Sequence, residues 1–262
     1  LRMSRGLGDV YKRQVIGCFA VAAAALIVFI VRELRCENPL LNLKLLGERN
    51  FGVSMAVLAI FGIGMLGGTY LLPLYMQKGL GYTAIMAGSV FLPVGLIQGV
   101  LSTCSGFLTR YIKPLFIAVT GILVMTLSFY FASRFTLHTT HAQIMLVLYL
   151  RGFGMGLTFA PLNDFSLMNL SQRDMASAAG ISNSIKQLSG SVSIALLTVI
   201  LTGRTAFHSA QGGLSSAESY VAGISDDFLF VTFVSLASAL PFLWLLRPRR
   251  KAASFKSEGT GT

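Results

Sequence analysis

Residues 148–165 read LYLRGFGMGLTFAPLNDF and combine a long apolar run with an arginine, three alternate glycines, a proline and an aspartate. The apolar run begins near residue 142, and about 20 such residues are enough for a helix to cross a ~30 Å hydrocarbon core. A helix that only has to be apolar needs none of these exceptions. The stretch therefore predicts a membrane-spanning helix whose unusual residues serve packing or function.

The composition of the whole chain indicates a membrane protein. Of its 262 residues, 54% are hydrophobic and 12% are charged, and the mean hydropathy is +0.70. The 21 lysines and arginines outnumber the 10 acids, but they lie in short gaps between apolar runs rather than on one amphipathic face. That placement is typical of loops at an anionic lipid surface, so the sequence predicts the lipid bilayer as a partner and no nucleic acid.

Seven apolar segments come close to the length of a membrane span or reach it. They cover approximately residues 15–31, 51–76, 83–108, 114–133, 142–168, 175–203 and 227–246. Spanning β-strands would be segments of about 10 residues with alternating polarity, whereas these runs are continuous. The predicted fold class is therefore all-α, a polytopic helical bundle of about seven transmembrane helices.

The two ends of the chain differ from the apolar body. The opening LRMSRGLGDVYKRQ is polar and basic. We expect residues 1–14 to be a non-native, adapter-derived segment, and the alternative is a genuine loop. Residues 15–31 then form a short, partial helix, residues 32–50 a cytoplasmic loop and residues 247–262 a basic cytoplasmic tail.

Loop charge predicts the orientation. When successive loops are assigned to alternate sides, one side collects twelve basic residues: Arg32, Arg35, Lys44, Arg49, Arg110, Lys113, Arg173, Arg247, Arg249, Arg250, Lys251 and Lys256. The other side collects three, Lys78, Arg134 and Arg204. Because cytoplasmic loops are enriched in lysine and arginine, the first set is predicted to be cytoplasmic, together with the C-terminus.

Two cations are predicted to lie near the middle of the membrane. At ~1.5 Å per residue, Arg151 lies roughly 13 Å below the outer surface, and Lys186 reaches a similar depth from the opposite side. A central charge costs at least ~2.5–3.5 kcal/mol, so both should face the bundle interior or an aqueous cavity. Asn183, Lys186 and Gln187 follow helical spacing and form one polar stripe. We expect Arg151 and this stripe to line a cavity; the alternative is that the cations snorkel or bind backbone carbonyls.

Glycines and prolines mark the expected contacts and bends. Two pairs with GxxxG spacing, Gly64 with Gly68 and Gly152 with Gly156, permit close helix packing, and Gly154 lies between the second pair. Pro93 and Pro161 lie inside predicted spans, where each removes a backbone donor and favours a kink. Asp164 is predicted near the cytoplasmic end of its span, on nearly the opposite side of the helix from Arg151. A helix-end or interfacial polar role and a proton-binding or gating role are the alternatives for it.

Catalytic signatures are not present in the sequence. There is no HExxH, GxSxG or GxxxxGK[ST] pattern, so an enzyme is not expected, and no cofactor is expected either. Arg151 to Gly156 is glycine-rich, but no soluble strand precedes it, which favours helix packing over a nucleotide loop. His138 and His141 have HxxH spacing without a third ligand nearby, so no metal site is predicted.

Several stretches resemble one family. They are Glu37-Asn-Pro-Leu-Leu-Asn-Leu43 with Glu48-Arg-Asn-Phe51, Leu71-Leu-Pro-Leu-Tyr-Met-Gln77, Gly81-Tyr-Thr-Ala84 through Pro93, Arg151-Gly-Phe-Gly-Met-Gly156 through Leu162, and 176–191, ASAAGISNSIKQLSGS. Over about residues 15–246 the chain resembles the fourteen-spanner drug/proton antiporter branch of the major facilitator superfamily, the type of inner-membrane multidrug efflux pumps.

The resemblance implies a C-terminal fragment of such a transporter. Residues 15–31 would be one of two central helices and residues 51–246 the complete C-terminal six-helix domain, with the N-terminal half missing. Ser105-Gly-Phe-Leu-Thr-Arg-Tyr-Ile-Lys113 resembles the cytoplasmic gating loop, although Thr109 replaces its usual acid and Ile112 its second glycine. Arg110 and Lys113 are therefore candidate gating residues toward the partner half.

The resemblance also implies a function and its partners. The expectation is proton-coupled multidrug efflux by alternating access in a bacterial inner membrane. Its expected partners are the missing N-terminal half, small amphiphilic or drug-like substrates and a periplasmic adaptor protein as a candidate. The alternative is a transport-inactive membrane scaffold or sensor derived from a transporter fold, which has no reason to hold two cations at mid-depth.

Overall fold

The computed structural model describes residues 2–36, 41–168, 170–210, 213 and 215–241, with side chains described from residue 14 onward except at 15, 16 and 19. The seven α-helices of this part are α1 (Arg2–Arg35), α2 (Arg49–Leu74), α3 (Ala84–Leu108), α4 (Pro114–Ala132), α5 (His141–Leu167), α6 (Met175–Ala210) and α7 (Ser216–Ala237). A short 3-10 segment, Leu43–Gly47, precedes α2, and a π-helical turn, Tyr75–Gly79, extends it. The predicted all-α class is confirmed. The predicted tail, 247–262, lies outside the described residues.

Six of these helices are long and apolar enough to cross a membrane: α2 with its π turn, and α3 to α7. Their outward faces carry exposed apolar side chains such as Ile85, Leu92, Leu96 and Val199. In water such a surface would drive aggregation, but the interior of a bilayer is its natural environment.

The first helix is longer than the sequence predicts. We expected a short helix over residues 15–31, whereas α1 begins at Arg2 and ends at Arg35. No proline interrupts residues 2–35, so the backbone can continue its hydrogen-bonding pattern through the boundary expected at residue 14.

Several helices begin where the sequence supplies a cap. α4 begins with Pro114 in its first turn, where the missing N–H is not needed. At the start of α5, the Thr140 N–H donates to Gln143 Oε1 at 2.9 Å in a capping box. These caps satisfy backbone groups that a helix end otherwise leaves without partners.

The last helix begins earlier than predicted. The sequence placed the final span at 227–246 after a long polar outer loop, but α6 continues to Ala210 and α7 begins at Ser216. The physical reason is a second capping box, in which the Ser215 N–H donates to Glu218 Oε2 at 2.7 Å and the Glu218 N–H donates to Ser215 Oγ at 3.2 Å. Several polar residues assigned to a loop therefore lie inside α7.

Helix α2 forms the centre of the bundle. It packs against α5, α6 and α7, while α5 packs in turn against α3 and α4. At the end where α4 leads into α5, aromatic rings close the core: Tyr75 stacks on Phe135 at 4.8 Å, and Phe228 lies 6.3 Å from Phe135 and 6.4 Å from Phe129. This is the predicted outer end of the bundle.

Candidate functional site

Arg151 is buried where α5 packs against α2. Its side chain is 3% exposed, and Nη2 donates to the Met65 carbonyl oxygen at 3.0 Å and to Thr69 Oγ1. Nε and Nη1 have no hydrogen-bond partner. At ~1.5 Å per residue, Arg151 lies roughly 15 Å below the start of α5. The guanidinium is thus held against α2 by one backbone carbonyl and one hydroxyl, and two of its donor nitrogens have no partner.

Gly68 makes room for the Phe129 ring on the surface of α2, beside that guanidinium. A Cβ at this position would lie 3.6 Å from Arg151 Cζ and would overlap the Phe129 ring. A Cβ at Gly64, one turn earlier, would meet Phe129 and Val231 at 3.6 Å, which is ordinary contact. Gly68 rather than Gly64 is therefore the tight position of this pair.

The three alternate glycines of α5 face two different helices. A Cβ at Gly152 would lie 3.1 Å from the Val94 carbonyl oxygen, and one at Gly156 would lie 2.7 Å from Leu101 Cβ, both on α3. A Cβ at Gly154 would lie 2.8 Å from the backbone nitrogen of Met125 on α4. Since α5 also places Arg151 against α2, its unusual residues let three neighbours approach one helix closely.

A cavity of about 180 Å³ lies between α2, α5 and α6. Asn163 from α5 and both Asn183 and Lys186 from α6 contribute its polar lining, and Met55 and Phe159 are among its apolar wall residues. The Lys186 side chain is half-buried, and its Nζ lies 5.0 Å from the centre of the Phe159 ring. The cation thus rests on an aromatic face while its polar neighbours border the same space.

Arg151 is not among the residues that line this cavity. The sequence predicts one cavity shared by Arg151 and the α6 stripe, whereas the structure has the arginine in the packed α2–α5 interface. Asn183 and Gln187 are exposed on α6, and Gln187 lies outside the cavity lining. The stripe therefore has one side toward the cavity and one side on the exterior of the chain.

The remaining predicted residues lie around this site. Pro161 is buried in α5 beside the cavity residue Leu162, and Pro93 is half-buried in α3. Arg110 and Lys113 are exposed in the connection between α3 and α4, and the Arg110 guanidinium lies 5.6 Å from the Phe107 ring. Asp164 is exposed near the end of α5.

Sequence reasoning missed that Asp227 is buried inside the last helix. The predicted last span, 227–246, placed Asp227 at the edge of the helix rather than inside it. In the structure Asp227 lies within α7, its side chain is 0% exposed, and neither carboxylate oxygen has a hydrogen-bond partner. The Ser215–Glu218 capping box is the sequence signal that could have moved the start of α7 and revealed it.

Among the described residues, no group of three or more His, Cys, Asp or Glu side chains could hold a metal ion. Apolar helices around a central helix, with a buried arginine and a small polar cavity, define a polytopic helical membrane protein.

The sequence profile of the Major Facilitator Superfamily matches residues 14–194. The chain belongs to this superfamily, whose members are transporters.

Relatives narrow the class further. The chain is 32% identical over 197 residues to the uncharacterized MFS-type transporter YhcA of Bacillus subtilis, covering 75% of this chain and 37% of that protein. It is 31% identical over 199 residues to the multidrug export protein EmrB of Haemophilus influenzae, covering 76% and 39%. It is 26% identical over 233 residues to the lincomycin resistance protein LmrB of Listeria innocua, covering 87% and 50%. The chain thus spans half or less of the length of these relatives, and the resemblance to drug-export transporters is confirmed.

Proposed function

We propose that this chain is the C-terminal half of a secondary active transporter that exports small amphiphilic or drug-like compounds in exchange for protons. In this proposal the bundle α2–α7 rocks against an N-terminal half and exposes a midplane cavity alternately to the two sides of a bacterial inner membrane. The twelve-to-three distribution of basic residues supports a cytoplasmic C-terminus. A periplasmic adaptor protein is a further proposed partner, by analogy with the efflux-pump type.

The observation that carries the proposal is the polar surface of α6. Asn183, Gln187 and Ser191 recur every four residues and are exposed, in a helix that is otherwise apolar enough to span a membrane. Polar side chains at this depth are costly against lipid, so they are best explained by water or by a partner domain. Lys186, on the same helix, lines the cavity beside this polar face.

The proposed roles of the other residues follow from their positions. Gly152, Gly154 and Gly156 supply close contacts across which helices can slide, and Pro161 and Pro93 supply points of bending. Arg110, Lys113 and Asp164 are exposed at the predicted cytoplasmic end, where they could gate against the N-terminal half. A transport-inactive scaffold would need neither the cavity nor the polar face, and no described feature favours it.

Lys186 provides the test of this proposal in the complete transporter. We expect Lys186→Ala to reduce drug efflux several-fold at unchanged abundance, because the variant removes the cavity's cation while leaving the α6 backbone and the apolar wall in place. Lys186→Arg should retain most of the efflux. Drug accumulation in cells and protein abundance in membranes would be measured together.

The matched control for this test is Ser184→Ala on the same helix. Ser184 is exposed, its hydroxyl donates to the Gly180 carbonyl oxygen at 2.9 Å, and it does not line the cavity. Its variant should export drug normally. If Lys186→Ala and Ser184→Ala export drug equally well, the cavity does not lie on the substrate path.

A further inference from the structure

Three polar side chains of the packed helices α6 and α7 are enclosed and have no hydrogen-bond partner. They are Asp227 and Ser219 on α7, both 0% exposed, and Thr205 on α6, whose Oγ1 is enclosed. A carboxylate in an apolar interior normally requires hydrogen bonds or a counter-ion, and a buried hydroxyl normally finds an acceptor. Three such groups on two packed helices therefore indicate that the helices take up a proton or water from their surroundings.

The three groups follow one line along the interface. Ser219, Gly223 and Asp227 recur every four residues and so share one face of α7. A Cβ at Gly223 would lie 2.6 Å from Thr205 Oγ1, so the Thr205 hydroxyl lies at the level of Gly223, between Ser219 and Asp227. Four residues of helix rise about 6 Å, a step that one bridging water spans. The hydroxyls thus mark a polar path from the predicted outer end to Asp227.

The start of this path lies beside solvent. An open pocket of about 550 Å³ flanks the outer end of α7, and its lining includes Glu218, Asp226 and His208. Asp226 lines the pocket, whereas Asp227, roughly 16 Å below the start of α7, does not. A proton in the pocket therefore has to enter the packed helices, where Ser219 and Thr205 lie, to reach Asp227.

The charges near Asp227 are engaged elsewhere. His208 Nε2 lies 2.9 Å and Arg204 Nε 3.6 Å from Asp226 Oδ2, so the two basic groups at this end of α6 pair with the neighbouring acid, and the third basic group of α6, Lys186, lies far along the helix. The other ionisable groups on the elements packed against this part of α7, and on α7 itself, are Tyr70, Tyr75 and Lys78 from α2 with its π turn, Tyr130 from α4, and Glu218 and Tyr220 from α7. None of them forms a hydrogen bond or an ion pair with Asp227.

We propose that Asp227 binds and releases one proton in each transport cycle, and that the proton reaches it from the outer end along Ser219 and Thr205. The proton adds to one carboxylate oxygen to give a neutral carboxyl, and on release it passes to water. The packed helices offer the Asp227 carboxylate no protein hydrogen-bond partner and so suit the neutral carboxyl, whereas helices opened to water suit the carboxylate. This proposal rests on the proposed transport function and adds a proton site in this half.

Infrared difference spectroscopy on the purified complete transporter tests the site without requiring transport. We expect a carbonyl-stretch signal from a protonated carboxyl without hydrogen bonds at near-neutral pH, and Asp227→Asn should remove it. Asp164→Asn, which alters an exposed acid on α5, should leave the signal unchanged. An identical signal in wild type and Asp227→Asn would overturn the proposal. A signal that depends on Asp227 in a protein that exports no drug would leave the proton site standing and refute only the proposed transport.

A second variant tests the path and keeps the proposal falsifiable if Asp227→Asn fails to fold. Thr205→Val preserves shape but removes the hydroxyl, and it should slow the appearance of the carboxyl signal several-fold after an outside pH jump. Thr202→Val is the control, because the Thr202 hydroxyl donates to the Thr198 carbonyl oxygen at 2.7 Å and lies outside the line. Equal rates in the two valine variants would exclude the proposed path.

Discussion

Replacing Arg151 by methionine in the complete transporter is expected to abolish most drug efflux while leaving the protein in the membrane. Methionine keeps much of the side-chain volume against α2 but removes the two hydrogen bonds to Met65 and Thr69. A hydrogen bond from a charged group contributes about 1.5–3 kcal/mol. If one of the two alternating states depends on those bonds, their loss shifts the equilibrium at least ~10-fold.

Membrane abundance should not fall in that variant, because burying the arginine at this position costs the protein stability. Its Nε and Nη1 are buried without partners, and exchanging a buried charge for an apolar side chain of similar size is often neutral or stabilising. Arg151→Lys should restore efflux only in part, since an ammonium is a point donor without the planar fork. Efflux and membrane abundance would be measured on the same cells.

Arg134→Met is the matched control. Arg134 is exposed in the predicted outer connection between α4 and α5, where Nη2 donates to the Tyr130 hydroxyl at 3.0 Å. Its replacement should leave efflux unchanged. Normal efflux in Arg151→Met would show that transport does not need the arginine. Efflux that falls only in step with abundance would show that the arginine is needed for folding rather than for transport.

Gly154→Leu is expected to have the largest effect on folding, with little or no folded transporter recovered. A Cβ at Gly154 would lie 2.8 Å from the Met125 backbone nitrogen and 2.9 Å from the Gly121 carbonyl oxygen. Backbone atoms cannot turn aside as a side chain can, so α4 and α5 would have to separate. Overpacking alone costs about 1–3 kcal/mol and occasionally more, which is a large share of a typical stability of ~5–15 kcal/mol.

Gly99→Leu provides the comparison, because a Cβ at Gly99 on α3 has nothing within 4 Å. The recovery of monodisperse protein from detergent-solubilised membranes, measured by size-exclusion chromatography, would compare the two variants. Gly99→Leu should behave as wild type. Similar recovery of both leucine variants would show that α4 and α5 do not pack as closely as described.

The helical part of the fold could be predicted because it depends on the length of apolar runs. Helices α2 to α6 begin within a few residues of the predicted segments, since a span must be apolar for its full length whatever its neighbours are. The start of α7 could not be predicted from the length of an apolar run. Ser219, Asp226 and Asp227 lower its hydropathy, and the pairing of Asp226 with His208 of α6 is a contact that the sequence of α7 does not reveal.

The position of the site residues along their helices could be predicted, but the groups that they contact could not. The rise per residue predicts Arg151 roughly 13 Å into its span, and in the structure it lies roughly 15 Å from the start of α5. Its acceptor, however, is a backbone carbonyl of Met65, and a carbonyl leaves no signal in a sequence. Spacing placed Asn183 and Lys186 on one stripe, but spacing within one helix cannot reveal that Asn163 of α5 borders the same cavity.

The most direct test of the transport account is the accessibility of Asn183 from the two sides of the membrane. In a complete transporter whose other cysteines have been replaced, including Cys18, Cys36 and Cys104, a single Asn183→Cys would be treated with a membrane-impermeant thiol reagent. Ser215→Cys and Tyr111→Cys are the references, expected to react only from outside and only from the cytoplasm. Alternating access predicts that Asn183→Cys reacts from the cytoplasmic side in one condition and from the outside when drug or an outside acid pulse is applied. Reaction from one side alone under every condition would contradict the account.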